Sequence, residues 1–198
     1  MNVVAFKEPI ASLGFAKPLQ VPDELEGLIS LLLAEKVMTY LEVGTRYGGT
    51  FERVMNALPR GAHGVALDFP GGKFGDCESV PILFAALTRL KMDGRNVDCI
   101  LGPSSAPEVV ERANALGPYD AVFIDADHSY QAVKRDFELY SGMGRMVILH
   151  DIAAPPGHTS KLGAPVEVPR LWNEIRRKGR ICEIIAPGSD MGIGVLWK

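Results

Sequence analysis

Leu41-Glu42-Val43-Gly44-Thr45-Arg46-Tyr47-Gly48-Gly49-Thr50 decides the fold. The chain from Met38 to Val43 is a short apolar run suited to a strand. Gly44 to Gly49 then supplies the glycines of a sharp turn, and Thr50 to Leu58 has the spacing of a helix. A strand, a glycine turn and a helix make the opening unit of an α/β sheet.

The same alternation continues downstream. Gly64 to Asp68 reads as a second strand and Ser79 to Met92 as a helix. Val97 to Leu101 is a third strand, followed by a helix over Ala106 to Leu116. Ala121-Val122-Phe123-Ile124-Asp125 is the most apolar strand and precedes a helix from Tyr130 to Tyr140. Met146 to Leu149 is the fifth. Strands this short and this apolar, alternating with helices, are parallel and buried on both faces. The expected architecture is a doubly wound, Rossmann-like α/β sheet.

The C-terminal part breaks the alternation. A helix around Pro169 to Lys178 leads to Ile181 to Ala186, a Pro187-Gly188-Ser189-Asp190 turn, and Gly192 to Trp197. A connection that short permits only antiparallel pairing, because a parallel return needs a crossover. The sheet should therefore be mostly parallel with an antiparallel C-terminal hairpin. Upstream, Pro22, Asp23 and Glu24 suit the first turn of a helix whose apolar face carries Leu25, Leu28, Ile29, Leu32 and Leu33. All 198 residues fit one domain, with residues 1–37 as an N-terminal segment and helix and residues 38–198 as the core.

Composition narrows the partners. Hydrophobic residues make up 47% and charged residues 23%, the profile of a soluble globular chain, and the formal net charge is −3. No basic field is present to hold a nucleic-acid backbone. The sequence has neither a signal-like start nor an apolar run long enough to span a membrane. Cys77, Cys99 and Cys182 lie far apart and odd in number, which fits a reducing cytoplasm rather than a disulfide framework.

In open α/β sheets, ligands bind beyond the carboxyl ends of the strands. Glu42, Asp68, Gly102-Pro103-Ser104-Ser105, Asp125 and His150-Asp151 all lie where strands stop. The dinucleotide pattern G-x-G-x-x-G fails, because Arg46 stands where close approach to a pyrophosphate needs glycine. A phosphate-binding Walker loop fails too, since Gly71-Gly72-Lys73 is followed by Phe74 rather than a hydroxyl residue.

The stretch Leu41-Glu42-Val43-Gly44-x-x-x-Gly48-Gly49-Thr50 resembles the first motif of class I S-adenosylmethionine-dependent methyltransferases. Phe123-Ile124-Asp125-Ala126-Asp127-His128-Ser129-Tyr130 is similar to the fourth-strand motif of their small-molecule O-methyltransferase subgroup, which includes catechol and macrolide-sugar enzymes. The likeness runs from about Tyr40 to Trp197. It implies S-adenosylmethionine as cofactor, with Asp68 on the ribose hydroxyls. The other expected cofactor residues are Glu42, Gly44, Thr45, Gly48, Thr50, Gly102, Ser104, Ser105 and Asp125, the serines near the adenine. The chemistry agrees: a carboxylate can accept two hydroxyls at once, and Glu42 could attract an ammonium tail.

Beside the cofactor, Asp125, His128, His150 and Asp151 should converge. The subgroup's metal-dependent members bind a divalent ion there through one acid after strand four and an Asp-Asp or Asp-Asn pair after strand five. Here the pair is His150-Asp151. Asp125, His150 and Asp151 are the expected ligands of Mg²⁺ or Mn²⁺, with iron a third candidate. The alternative is metal-free: Asp125, His128 and His150 carry catalysis, with a histidine as general base. Asp127 is equally readable as a helix cap, and Trp172 as packing. The expected acceptor is a small hydroxylated molecule, a sugar or phenol, bordered by the loops Phe69 to Asp76 and Ala153 to Pro165. Without a large inserted domain, short loops or the second subunit of a homodimer would complete recognition. The competing readings are a nicotinamide-dependent oxidoreductase, a non-catalytic nucleoside-binding protein and an iron hydroxylase on the same fold.

Overall fold

The computed structural model describes residues 16–71, 79–160 and 163–198. Seven strands alternate with six helices: α1 (Pro22–Ala34), β1 (Thr39–Val43), α2 (Gly49–Ala57), β2 (His63–Asp68), α3 (Ser79–Met92), β3 (Asn96–Leu101), α4 (Pro107–Leu116), β4 (Tyr119–Ile124), α5 (Tyr130–Tyr140), β5 (Gly144–His150), α6 (Val168–Ile175), β6 (Ile181–Ile184) and β7 (Ile193–Trp197). They form one sheet in the order β3-β2-β1-β4-β5-β7-β6. The first five strands are parallel, and β7 is antiparallel to both β5 and β6. The doubly wound reading and the antiparallel hairpin are both present. The hairpin's insertion is the new information, since β7 takes the inner place beside β5 and leaves β6 at the edge.

The burial pattern explains the parallel core. The last four residues of β1, the last five of β2, and β4 except Asp120 are almost wholly buried. One face packs Tyr40, Phe51, Met55, Phe123 and Ile148 against Leu25, Leu28 and Leu32 of α1. The other packs Leu41, Val43, Val122, Val147 and Leu149 against α5 and α6. Trp172 is buried as packing, its indole donating to Glu183 Oε1 at 2.6 Å. Leu33 is exposed, because the stripe of α1 is narrower than its leucine spacing suggests.

Chain reversal falls between β1 and β4, where the crossovers run to opposite sides. The crevice at that point opens at the carboxyl edge of the sheet. Glu24 stabilises the far side of this edge. It is fully buried on α1 and accepts the amides of Ala186 and Gly192, both at 3.1 Å. Those two amides flank the β6–β7 turn, which in turn holds the segment after β5: Ile152 donates to Gly192 and Ala153 to Met191. Among the described residues, no helix is long and apolar enough to cross a membrane.

Candidate active site at the carboxyl edge of the sheet

The β1 turn is shaped by close approach to its neighbours. Gly44 has φ +95°, and a Cβ there would lie 2.6 Å from Ala126 Cα and Asp125 C, with the Asp125 carbonyl oxygen closer still. Its glycine therefore lets the end of β4 pass against the turn. The amides of Gly44 and Thr45 both donate to the Leu67 carbonyl, and Gly102 donates to the Asp68 carbonyl. These bonds stitch together the ends of β1, β2 and β3.

Glu42 and Asp68 sit on these adjacent ends, in register one residue before and one after the Val43–Leu67 pair. Both are buried. Asp68 Oδ1 accepts the Arg46 amide at 2.9 Å, which fixes the carboxylate against the turn. Glu42 Oε2 accepts the Tyr40 hydroxyl at 2.7 Å. Burial pushes the Glu42 carboxyl well above its ordinary pKa; the Tyr40 bond opposes that shift, while Asp125 and Asp68 add to it. A carboxyl in that state regains its charge when a cation is brought against it.

The remaining expected cofactor residues divide. Gly48 is the left-handed cap of α2. The Thr45 hydroxyl is committed to the carbonyls of Glu42 and Leu67, and the Thr50 hydroxyl to Gln20 Oε1. The Ser104 hydroxyl donates to Asp136 Oδ1 at 2.7 Å, and the Ser104 carbonyl accepts the Tyr140 hydroxyl. Ser105 lies in the turn before α4. Asp136 is buried, and that burial raises its pKa to about 6 even though Ser104 donates to it. These side chains hold the loops in place.

Asp125, His128, His150 and Asp151 do converge. His128 bridges two carboxylates, with Nε2 3.1 Å from Asp125 Oδ1 and Nδ1 2.6 Å from Asp151 Oδ2. His150 Nδ1 lies 3.2 Å from both Asp125 Oδ1 and Asp151 Oδ1. Burial opposes charge on Asp125, His128 and His150, but mutual pairing outweighs it. Asp125 is held well below the usual carboxylate range by His150 and His128. Asp125 and Asp151 push His128 up to about 10 and raise His150 as well. His128 is the exposed member, with its side chain 24% accessible against 5% for His150 and Asp151. Asp151 adopts φ +62°, an unusual conformation for a non-glycine residue and a mark of local constraint.

The three residues expected as metal ligands lie together here. Asp125, His150 and Asp151 face one another as counter-ions, and His128 occupies the space between the carboxylates. Among the described residues, no group of three or more His, Cys, Asp or Glu side chains is set to hold a metal ion. Two carboxylates there face two imidazoles. Asp127 is a turn former, accepting the Ser129 amide at 2.9 Å ahead of α5.

Sequence reasoning missed Tyr40, Asp136 and Gln20. Tyr40 was legible in principle, since i and i+2 share a strand face and set it beside Glu42. Asp136 and Gln20 carried no such signal, because their partners lie 32 and 105 residues away. Of the two expected border loops, residues 72–78 lie outside the described residues, and so do 161–162. The rest of the second loop is held by a Thr159–Pro165 bridge, and Glu167 donates to the His128 carbonyl at 2.8 Å.

Residues 41–152 match the family model of a methyltransferase domain. An O-methyltransferase from Bacillus cereus in complex with SAH is similar over 96% of this chain and 87% of its own, at 19% identity and a TM-score of 0.69. Cofactor-bound Rv0187 from MTB is similar over 95% and 85%, at 14% identity and a TM-score of 0.68. The O-methyltransferase TomG from Streptomyces achromogenes, in complex with SAM and involved in tomaymycin synthesis, is similar over 91% and 82%, at 17% identity and a TM-score of 0.66. At these identities the likeness is one of fold.

Proposed function

The chain belongs to the methyltransferase-domain family, and on that premise we propose that it transfers the methyl group of S-adenosylmethionine to a hydroxyl oxygen of a small acceptor. One observation carries the reading: Glu42, the Gly44 to Gly49 turn and Asp68 lie on adjacent strand ends at the point of chain reversal. An adenosine has two ribose hydroxyls, and Asp68 is a fixed acceptor for them. Phe69 and Leu101, both exposed apolar side chains, flank it; Leu101 is Asp68's register partner on β3. They offer an apolar edge to a nucleobase. Glu42 faces the place where an amino-acid tail would bring an ammonium. SAM- and SAH-bound structures of the same fold support this cofactor.

Bound S-adenosylmethionine would supply an electrophilic methyl group to the acceptor oxygen. The chain supplies charge and a proton acceptor. Asp125 stays ionised through the physiological range and presents a fixed negative charge at the end of β4. His128, the accessible member of the cluster, is protonated in its paired state, so it donates rather than accepts. An entering hydroxyl that takes the place of His128 at Asp125 gains a carboxylate acceptor for its proton. His150 and Asp151 hold the pair from behind. No step here passes through a metal ion. The small acceptor is supported by the absence of a basic field and by the compact domain, with a net charge of −3.

Calorimetry with S-adenosylhomocysteine tests the cofactor assignment. The wild type should bind, and Asp68→Ala should bind at least tenfold more weakly, since each charged hydrogen bond contributes about 1.5–3 kcal/mol. Unchanged affinity in Asp68→Ala would remove the ribose assignment. A labelled-donor assay over phenols and sugars tests the acceptor class; turnover confined to RNA or protein would overturn it.

A further inference from the structure

We infer that Gln20 is a positioning residue, orienting the Asp125 carboxylate and joining it to the cofactor turn. Gln20 precedes α1 and is 7% exposed. Its Nε2 donates to Asp125 Oδ2 at 2.6 Å, and its Oε1 accepts the Thr50 hydroxyl. A carboxylate only accepts, so the amide nitrogen must face Asp125 and the amide oxygen must face Thr50. One side chain thus spans the first turn of α2 and the end of β4, the two walls of the crevice.

The consequence for Asp125 is a division of its oxygens. Gln20 occupies Oδ2, and Oδ1 is turned to His128 and His150. Without the amide, the carboxylate is free to rotate, and the imidazoles keep Asp151 alone as a shared partner. The segment before Gln20 reinforces the contact. A Cβ on Gly49 would lie 2.7 Å from the carbonyl carbon of Lys17, so backbone lies on backbone there. Four residues after Gln20, Glu24 grips the β6–β7 turn that carries the segment beyond Asp151. The start of α1 therefore holds both sides of the acidic–imidazole cluster.

The inference rests on the proposed methyl-donor reading for its link to cofactor affinity, but not for its hold on Asp125. Two variants separate positioning from packing. Gln20→Glu keeps the shape and removes the donor, setting a carboxyl against a carboxylate. Gln20→Leu keeps most of the volume and removes both hydrogen bonds. At pH 8, S-adenosylhomocysteine should bind Gln20→Leu about tenfold more weakly than the wild type, and Gln20→Glu more weakly still. In ligand-free protein, the ¹⁵N imidazole resonances of His128 should be displaced in both variants. A space-filling role predicts the opposite order, with Gln20→Glu within twofold of the wild type and His128 unmoved; that result overturns the inference. If the wild type binds no S-adenosylhomocysteine while His128 still responds, the donor reading fails and the hold on Asp125 stands. If Gln20→Glu does not fold, Gln20→Leu alone decides, through the same two readouts.

Discussion

Replacing Gly44 by alanine should lower the stability of the fold and disturb the candidate active site. The added methyl would sit 2.6 Å from two backbone atoms, Asp125 C and Ala126 Cα. Neither is the end of a flexible side chain, so β4 or the β1 turn must move. The backbone is also in the left-handed region, at φ +95°, which costs a non-glycine residue about 1–2 kcal/mol. Overpacking adds about 1–3 kcal/mol. The sum is roughly 2–5 kcal/mol. Gly157→Ala is the matched control. It has φ +81° and nothing within 4 Å of its Cβ, so only the conformational cost of about 1–2 kcal/mol applies. In urea, with a slope of about 2–3 kcal/mol per molar, Gly44→Ala should lower the midpoint by about 1–2 M and Gly157→Ala by about 0.5 M. S-adenosylhomocysteine affinity, by calorimetry, should fall in the first variant and hold in the second. Equal midpoints for the two variants would refute the claim that β4 and the turn are in enforced contact.

Three further outcomes are expected. Asp136, with its folded pKa raised to about 6 from the ordinary 3.8, binds its proton more tightly folded than unfolded. Its burial therefore costs stability as pH rises from about 4 to above 6, and Asp136→Asn should be more stable than the wild type at pH 8 by on the order of 1–3 kcal/mol, but not at pH 4; thermal melts across that range check it. His128 has a folded pKa raised to about 10, so its stabilisation is fully present below about pH 6.5 and is lost as pH rises through 10. His128→Gln should flatten the alkaline loss of stability, and an unchanged alkaline limb would show that the imidazole is not paired as described. Because the imidazoles already face the carboxylates, exhaustive chelation should leave the melting temperature and S-adenosylhomocysteine affinity unchanged; a fall reversed by Mg²⁺ or Mn²⁺ would reveal a resident ion.

Much of the architecture was legible in the sequence because its signals are local. Short apolar runs alternating with helical spacing fix a doubly wound sheet, and the four-residue Pro187 to Asp190 turn fixes an antiparallel hairpin. The positions of Glu42, Asp68, Asp125 and His150 at strand ends follow from the same reading, since a strand's end is a feature of its own few residues. What the side chains do there was settled by neighbours remote in the chain. Gln20 meets Asp125 across 105 residues, Glu24 meets Gly192 across 168, and Ser104 meets Asp136 across 32. The sequence offered two carboxylates and two imidazoles as ligands or bases alike. Only packing decided that His128 lies between Asp125 and Asp151, because buried charges without a counter-ion are too costly and each found the nearest one.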